Sequence, residues 1–218
     1  MRRPCLLSEA KASGSREKIL RAAIEVMRAG GVGATTTRAI AANAGVSEAL
    51  IYRYFKNKID VLRTAVREQV TPEFWDVINA LPAAGGSERP ALTVQRVARA
   101  ALRYYHDLVP LLAAVFSDSA LIEWYRTSLV EHDAGPHRAI RIVGEYLAAE
   151  QRAGRLATTL DPTAAAQMLL GACFQQVFFT FTVGVERLSF DDEHLVVAVA
   201  GNIVPDTLAN YVRDPGAL

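Results

Sequence analysis

The apolar residues of this chain recur at the spacing of an α-helix, and this repeat constrains the fold more than any other feature of the sequence. The clearest example begins after Ser15, a residue type that caps helices, and stops at Gly30 and Gly31. Its face is formed by residues at positions i, i+3, i+4, i+7 and i+8, namely Ile19, Ala22, Ala23, Val26 and Met27. Because similar patterns cover most of the 218 residues, the sequence predicts an all-α protein of about nine helices.

Three shorter helices are expected between this first helix and residue 70. The segment TTTRAIAANAG offers threonines as N-caps and ends at Gly45, which can adopt the left-handed conformation just past a helix. Ser47 can cap the next helix, and Val46 lies where a staple residue would pack. Asn57 and Asp60 then have a capping-box-like spacing at the start of a longer helix.

The rest of the chain is also expected to be helical, with LPAAGGSERPA at 81–91 as its clearest loop. A new helix or a kinked continuation of the previous one starts at Thr71-Pro72. The later helices are expected at 92–106, 109–116, 118–131, 136–153, 162–184 and 191–213. The segment FFTFTVGVERLSF is rich enough in aromatic and β-branched residues for a strand, but it continues a run too long for a buried strand. We therefore expect a helix as far as Gly184.

One stretch, residues 164–185, could be mistaken for a membrane span. Gln167, Gln175 and Gln176 interrupt it, and polar groups in lipid need partners. A helix buried by protein is therefore the favoured interpretation. The chain starts with no apolar leader segment, and its two cysteines, Cys5 and Cys173, are too few for a disulfide framework. These features predict a cytoplasmic location.

Charge is distributed unevenly along the chain. Residues 1–63 contain 12 Lys and Arg against 5 Asp and Glu, whereas residues 64–218 contain 12 against 18. The first 63 residues are thus basic and the rest of the chain is acidic. This asymmetry indicates that the first part binds a polyanion, either nucleic acid or anionic lipid.

The basic part contains two short predicted helices separated by the sequence AGVS. This is the helix-turn-helix pattern, in which the second helix enters the major groove of DNA and the first braces it. Ile51 and Phe55 would hold the second helix to the body of the domain. Its outward residues include tyrosine and basic side chains, which suit phosphate oxygens.

The segment TTTRAIAANAGVSEALIYRYFKNKIDVL resembles the DNA-binding segment of the tetracycline-repressor (TetR) family. The resemblance is strong over residues 15–63 and rests on a Gly-Val-Ser turn followed by tyrosine, phenylalanine and lysine at fixed intervals. It implies a homodimeric, ligand-responsive transcriptional regulator with a three-helix DNA-binding unit and a helical effector-binding domain. The implied organisation is a basic tail at 1–14, a DNA-binding domain at 15–70 and an effector and dimerisation domain at 71–218.

The resemblance also implies roles for individual residues. The positions expected to contact bases or phosphates are Thr37, Arg38, Ser47, Glu48, Ala49, Tyr52, Arg53, Tyr54 and Lys58. Ser47 is favoured as a cap rather than a base reader, and Tyr52 has a core role on Phe55 as its alternative. Glu48 departs from the family pattern, because it can accept a hydrogen bond from a cytosine amino group but would repel phosphate.

The effector site is expected among large side chains of the second domain. The candidate ligand-binding residues are Tyr104, Tyr105, Phe116, Trp124, Phe174, Gln175 and Phe178. Taken singly, each of them is more often ordinary core, but their abundance points to a lipophilic or aromatic effector. In this family pattern the last two helices, apolar over much of their surface, would form a four-helix seam with a second copy.

Catalysis has little support, since no nucleophile, metalloprotease or phosphate-binding motif occurs. His132 and His137 could bind a metal, but Gly135 and Pro136 break the helix that would align them. No cofactor or metal is therefore expected. The alternatives that stay open are a DNA-binding regulator without an effector and a helical enzyme or lipid-binding protein whose basic part binds an anionic membrane.

Overall fold

The computed structural model describes residues 6–69, 72–86, 88–131, 133, 135–188 and 191–204. These residues contain no β-strand, and the all-α prediction is confirmed. The α-helices are, in chain order, α1 (Leu6–Ala34), α2 (Thr37–Ala44), α3 (Glu48–Tyr54), α4 (Lys58–Gln69), α5 (Pro72–Ala84), α6 (Pro90–Phe116), α7 (Ser119–Glu131), α8 (Pro136–Arg152), α9 (Pro162–Val183) and α10 (Asp192–Ile203). A short 3-10 helix, Val185–Arg187, separates α9 from α10.

The contacts divide these helices into two compact units. The head unit consists of residues 6–69 and Pro110–Glu131, and the body unit consists of residues 72–109 and the described residues from 133 onward. In the domain division expected from the sequence, residues 110–131 fall in the second domain instead. They belong to the head because Leu111, Val115 and Leu121 are buried in its core, a contact that no local pattern reveals.

The head core is built from the apolar faces that the sequence predicts. Its members from the first four helices include Ile19, Ala23, Met27, Ile40, Ile51, Phe55, Leu62 and Val66. Each contributing helix buries one face and leaves the other in solvent, as expected for amphipathic helices. Burial of each large side chain contributes roughly 1.5–3 kcal/mol, so the short helices α2 and α3 are held mainly by packing rather than by propensity.

The ends of several helices differ from the predicted ones. Helix α1 begins at Leu6, so residues 6–14 are helical rather than a tail, and residues 1–5 lie outside the described part. At the predicted stop, Gly31 has a non-helical backbone (φ 69°, ψ −179°), but another turn follows it to Ala34. Glycine tolerates a positive φ without the steric penalty of a Cβ.

Two predicted helices are one helix in the structure. Helix α6 runs through Pro110, whereas the sequence pattern predicts separate helices at 92–106 and 109–116. A proline in the interior removes one backbone hydrogen bond, and the helix continues because Leu108, Leu111 and Val115 are all buried. The loop predicted at 81–91 is shorter than expected, since α5 reaches Ala84 and α6 starts at Pro90.

The aromatic segment at the end of α9 is helical, as favoured, and the helix stops at Gly184, whose φ is 89°. Asp161 caps the start of α9 by accepting hydrogen bonds from the backbone of Thr163 and Ala164. Helix α10 ends at Ile203 instead of residue 213, and residues 205–218 lie outside the described part.

The body unit is assembled by packing of α8 on α9, α5 on α8 and α10 on α9. Its core contains a fully buried carboxylate, Glu150, which accepts hydrogen bonds from Arg155 at 2.5 and 3.1 Å and from the backbone N–H of Gly86 at 3.3 Å. Among the described residues, α9 is the one helix long and apolar enough to cross a membrane. In the body unit it packs between α8 and α10.

Candidate nucleic-acid interface

The turn between α2 and α3 is fixed by local hydrogen bonds that the sequence predicts. Thr36 caps α2, its hydroxyl accepting a bond of 3.0 Å from the backbone N–H of Ala39. Gly45 follows α2 in the left-handed conformation (φ 64°, ψ 38°). The next N–H, that of Val46, returns to the carbonyl of Ala41 at 3.0 Å. Together with the bond from the Gly45 N–H to the Ala42 carbonyl at 3.3 Å, this bond closes the helix and redirects the chain sharply. Only three residues separate the end of α2 from the start of α3.

Helix α3 is short and is anchored at its end. Ile51 is fully buried and Phe55 is 4% exposed, so one side of α3 is committed to the core. Phe55 adopts an extended backbone, and its N–H donates to the carbonyl of Ile51 at 2.9 Å. Helix α4 follows at once, because Asn57 accepts a bond from the N–H of Asp60 while Asp60 accepts one from the N–H of Lys56, both at 2.9 Å.

The side of α3 opposite its core contacts carries most of the residues singled out from the sequence. The exposed residues of this set are Arg38, Ser47, Glu48, Ala49, Tyr52 and Arg53. Half-buried members are Thr37, Tyr54 and Lys58. Ser47 has the extended backbone of an N-cap, yet its side chain makes no capping hydrogen bond.

Tyr52 does not pack as a core residue. It is 55% exposed, and Tyr54 rather than Tyr52 has its ring near that of Phe55, at 6.4 Å between centroids. The alternative of a core role for Tyr52 is therefore not seen. Its hydroxyl is directed to the α2 side of the helix pair, at 3.4 Å from the hydroxyl oxygen of Thr37.

Three of the predicted residues are brought into direct contact. The Thr37 hydroxyl donates a hydrogen bond of 2.5 Å to Oε1 of Glu48 and lies 3.4 Å from the Tyr52 hydroxyl. Thr37 opens α2, Glu48 opens α3 and Tyr52 is one turn further along α3. This contact fixes the first turn of one helix against the first turn of the other.

Arg16 is a residue that sequence reasoning missed. Its guanidinium lies 5.8 Å from the Phe55 ring centroid and forms two hydrogen bonds of 2.7 Å with the carboxylate of Glu68. These bonds raise the pKa of Arg16 and lower that of Glu68. The contact ties α1 and α4 to the end of α3, and no sequence signal could find it because Arg16 and Phe55 are far apart along the chain.

In the body unit, four of the predicted ligand-binding residues form a continuous series of rings. Tyr104 contacts Tyr105 at 5.4 Å between centroids, Tyr105 contacts Phe174 at 5.4 Å, and Phe174 stacks on Phe178 at 6.0 Å. The series continues through rings that are not among the residues predicted from the sequence, namely Phe74, Trp75 and Phe179. These pairs are edge-to-face, tilted or stacked arrangements that stabilise a core or line an apolar site equally well.

The remaining predicted ligand residues lie elsewhere. Trp124 belongs to the head unit, where it packs against the core with the Arg63 guanidinium 5.7 Å from its ring centroid. Phe116, also in the head unit, is 58% exposed. Gln175 is exposed on α9. The aromatic series of the body unit thus contains four of the seven residues.

Two depressions on the body unit avoid the aromatic series. One, of about 270 Å³, is lined by α9 and α10 residues such as Met168, Ala172 and Val199. The other, of about 590 Å³, lies along α8 and the start of α9 and is lined by residues such as Arg141 and Gly144. None of the seven predicted ligand residues lines either depression.

Cys173 and the pair His132 and His137 are the groups outside the helix-turn-helix for which the sequence raises redox or metal chemistry. Burial raises the pKa of the Cys173 thiol to about 12, which removes the thiolate needed for redox chemistry at neutral pH. His137 contacts Asp133 at 3.3 Å, and His132 lies outside the described residues. No group of three or more potential metal ligands occurs among the described residues.

Comparison with known families gives two matches, one in each part of the chain. The family "Bacterial regulatory proteins, tetR family" matches residues 19–65, which contain α2 and α3, and the family "AefR-like transcriptional repressor, C-terminal domain" matches residues 126–212. Together these two models cover more than half of the chain. No curated protein sequence matches the chain.

Solved structures share the fold at low sequence identity. The fatty acid degradation regulator FadR from Bacillus halodurans is 20% identical with a TM-score of 0.64, over 87% of this chain and 94% of that one. FadR from Bacillus subtilis in complex with stearoyl-CoA is 21% identical with a TM-score of 0.59, over 86% and 97%. The SmeT–triclosan complex is 20% identical with a TM-score of 0.61, over 87% and 90%.

Proposed function

Because the chain belongs to the TetR family of DNA-binding transcriptional regulators, we propose that it is a ligand-responsive repressor. It binds a palindromic operator as a homodimer in the cytoplasm and is released by a small lipophilic effector. The observation that carries this proposal is the exposed face of α3, which stands next to the start of α2 in a basic head unit. The relatives of the chain are regulators and not enzymes.

The exposed residues of the α2–α3 pair supply the chemistry that DNA binding needs. Arg38 and Arg53 are exposed cations on neighbouring helices, and Tyr52 presents a hydroxyl; such groups bind phosphate oxygens. Lys58 opens α4, where the family pattern has a phosphate contact. The turn at Gly45 fixes the orientation of α2 relative to α3, and with it the positions of these side chains. Helix α3 can therefore enter the major groove as a rigid element.

The dimer is proposed to form through α9 and α10. One stripe of α9 is exposed at every third or fourth position, and it consists of Ala164, Met168, Gly171, Gln175, Phe178 and Thr182. Met168 is 70% exposed and Phe178 is 42% exposed, and Val197 on α10 is 42% exposed. An apolar stripe of this period matches the packing of a second helix, and a second copy covers it more readily than lipid does because Gln175 lies within it.

The effector is proposed to be lipophilic because of the aromatic series through Tyr105, Phe174 and Phe178. Phe174, which lies outside the α9 stripe assigned to the dimer, is 37% exposed, so an apolar molecule can bind against this ring without opening the whole core. Stearoyl-CoA and triclosan are bound by two proteins with the same fold. Release requires that the effector bind the DNA-free state more tightly than the DNA-bound state.

DNA binding is tested by fluorescence anisotropy with the duplex upstream of the coding region and a scrambled duplex, at several salt concentrations. We expect tight binding to the first duplex alone. With Arg53 on a phosphate, Arg53→Ala removes one phosphate contact per subunit, so in a dimer the slope of log affinity against log salt falls in magnitude by about 2. Arg21→Ala, an exposed charge on α1, is the matched control and should leave the slope unchanged.

Dimerisation and effector release have separate tests. Met168→Glu should convert the dimer to monomers in analytical ultracentrifugation, whereas Leu92→Glu, which places the same charge on an exposed apolar residue of α6, should not. Stearoyl-CoA, stearic acid and triclosan serve as probes of operator release. Release by none of them, with no thermal shift, would favour a regulator whose buried rings Tyr104 and Tyr105 are simply core.

A further inference from the structure

The first turn of the exposed helix α3 carries an anion in a unit that is otherwise basic at this surface. Glu48 is exposed, and among the described residues it forms no ion pair with a Lys or Arg side chain. Its described side-chain partner is Thr37, whose hydroxyl donates to Oε1 at 2.5 Å. An anion placed beside phosphates weakens DNA binding. We therefore expect Glu48 to face a hydrogen-bond donor on the DNA rather than a phosphate.

The contact with Thr37 leaves one oxygen of this carboxylate available. The single hydroxyl hydrogen of Thr37 is used on Oε1, so the Tyr52 hydroxyl, 3.4 Å away, can only donate to Thr37. The three side chains therefore form a chain of donors that ends on Glu48. This arrangement restricts the carboxylate to one orientation and leaves Oε2 as the acceptor for an outside group.

The chemistry of the major groove determines what that outside group can be. Carboxylates only accept hydrogen bonds, and the groove-edge donors are the N4 amino group of cytosine and the N6 amino group of adenine. Adenine presents its N7 acceptor beside the amino group, which repels a second carboxylate oxygen, whereas cytosine presents no acceptor on its own groove edge. A carboxylate with one oxygen occupied thus fits the cytosine amino group best.

We propose that Glu48 is a specificity-determining residue that selects a C·G pair in each half of the operator by accepting a hydrogen bond from the cytosine N4 amino group. Thr37 is a positioning residue that holds the carboxylate for this contact. The inference rests on the proposed function, because it requires α3 to enter the major groove. It adds the identity of one base pair, which is independent of the effector and of the dimer seam.

The test is selection of binding sites from a random duplex pool, followed by affinity measurements on the selected operator with each base at every position. For the wild-type protein we expect one symmetric position at which C·G is preferred about 10-fold over the other pairs. Glu48→Gln should change the preference at that position to A·T, since a glutamine amide pairs with adenine N6 and N7. The other positions should keep their bases, which also shows that the variant is folded.

The role of Thr37 needs its own pair of variants. Thr37→Val removes the hydroxyl at constant shape and should weaken the C·G preference several-fold at the same position, whereas Thr37→Ser keeps the hydroxyl and should restore it. A merely structural contact between α2 and α3 would lower affinity for all operators equally and leave base preference unchanged.

The outcomes separate this inference from the proposed function. If the wild-type protein selects an operator and Glu48→Gln selects the same bases at every position, the role of Glu48 is refuted while the regulator remains. If the wild-type protein selects no sequence at all, the proposed function fails and the role of Glu48 fails with it.

Discussion

Gly45 provides the sharpest test of how the turn between α2 and α3 is built. Its backbone is left-handed, with φ of 64°, and a Cβ added there would meet no atom within 4 Å. Gly45→Ala therefore creates no clash, and its cost is only the backbone strain of an L-residue in this region, about 1–2 kcal/mol. The alanine also restricts the unfolded chain, which offsets roughly 0.4–1 kcal/mol.

Gly45→Ala is therefore expected to lower the free energy of unfolding of the head unit by about 1 kcal/mol. Gly33→Ala is the matched control, because Gly33 has equally open space and no positive φ. It should stabilise the head by about 0.5 kcal/mol, since alanine is favoured over glycine in a helix. Gly45→Asn should lie close to wild type, because asparagine tolerates the left-handed region.

The assay is native-state hydrogen exchange followed by mass spectrometry on peptides that cover α3. The buried core at Ile51 and the Phe55 amide, bonded to the Ile51 carbonyl at 2.9 Å, report opening of the head separately from the body unit. A loss of 1.4 kcal/mol corresponds to a tenfold faster exchange. Equal losses for Gly45→Ala and Gly33→Ala, or a gain for Gly45→Ala, would refute the argument from backbone strain.

Three further predictions concern ionisable groups. The hydrogen bonds from Arg16 hold the pKa of Glu68 below its ordinary value of 4.5. Glu68→Gln should therefore lower the stability of the head unit at pH 7 by up to about 1 kcal/mol in denaturant titrations. This difference from wild type should shrink as the pH falls below 4.5, because the carboxylate is then protonated in the unfolded chain. Burial of Cys173 predicts that, in a Cys5→Ser background, a thiol reagent labels the native protein at pH 8 far more slowly than the unfolded one; equal rates would contradict the raised pKa. Glu150 is fully buried, whereas the Arg155 side chain is partly exposed. Arg155→Met leaves a buried carboxylate without its cation and should therefore lower Tm more than Glu150→Gln does. The reverse order would be inconsistent with this burial.

Much of the head unit was predictable from local sequence signals. The caps at Thr36 and Asn57, the left-handed Gly45 and the inward pair Ile51 and Phe55 depend on interactions within a few residues, and the structure contains all of them. The exposed side of α3 follows from the buried side, since a helix that commits one face to a core presents the other. The exposed candidate residues on α3 were therefore predictable from the sequence.

The distribution of the aromatic residues was less predictable. Trp124 and Phe116 were grouped with Tyr104, Tyr105, Phe174 and Phe178 because all are large residues on predicted helices. Helical period states which side of a helix is apolar, but it does not state which other helix covers that side. The structure places Trp124, against Arg63, and Phe116 in the head unit. The other four residues of this group lie in the body unit.

The sequence by itself determined the all-α class, the helix-turn-helix and its outward residues, because capping, turn conformation and helical period are short-range properties of the chain. The tertiary structure alone decided that residues 110–131 join the head core, that Arg16 and Glu68 brace the end of α3, and that Thr37 holds Glu48. These contacts join residues 11 to more than 50 positions apart, and their partners are chosen by packing in three dimensions. No local pattern encodes that choice.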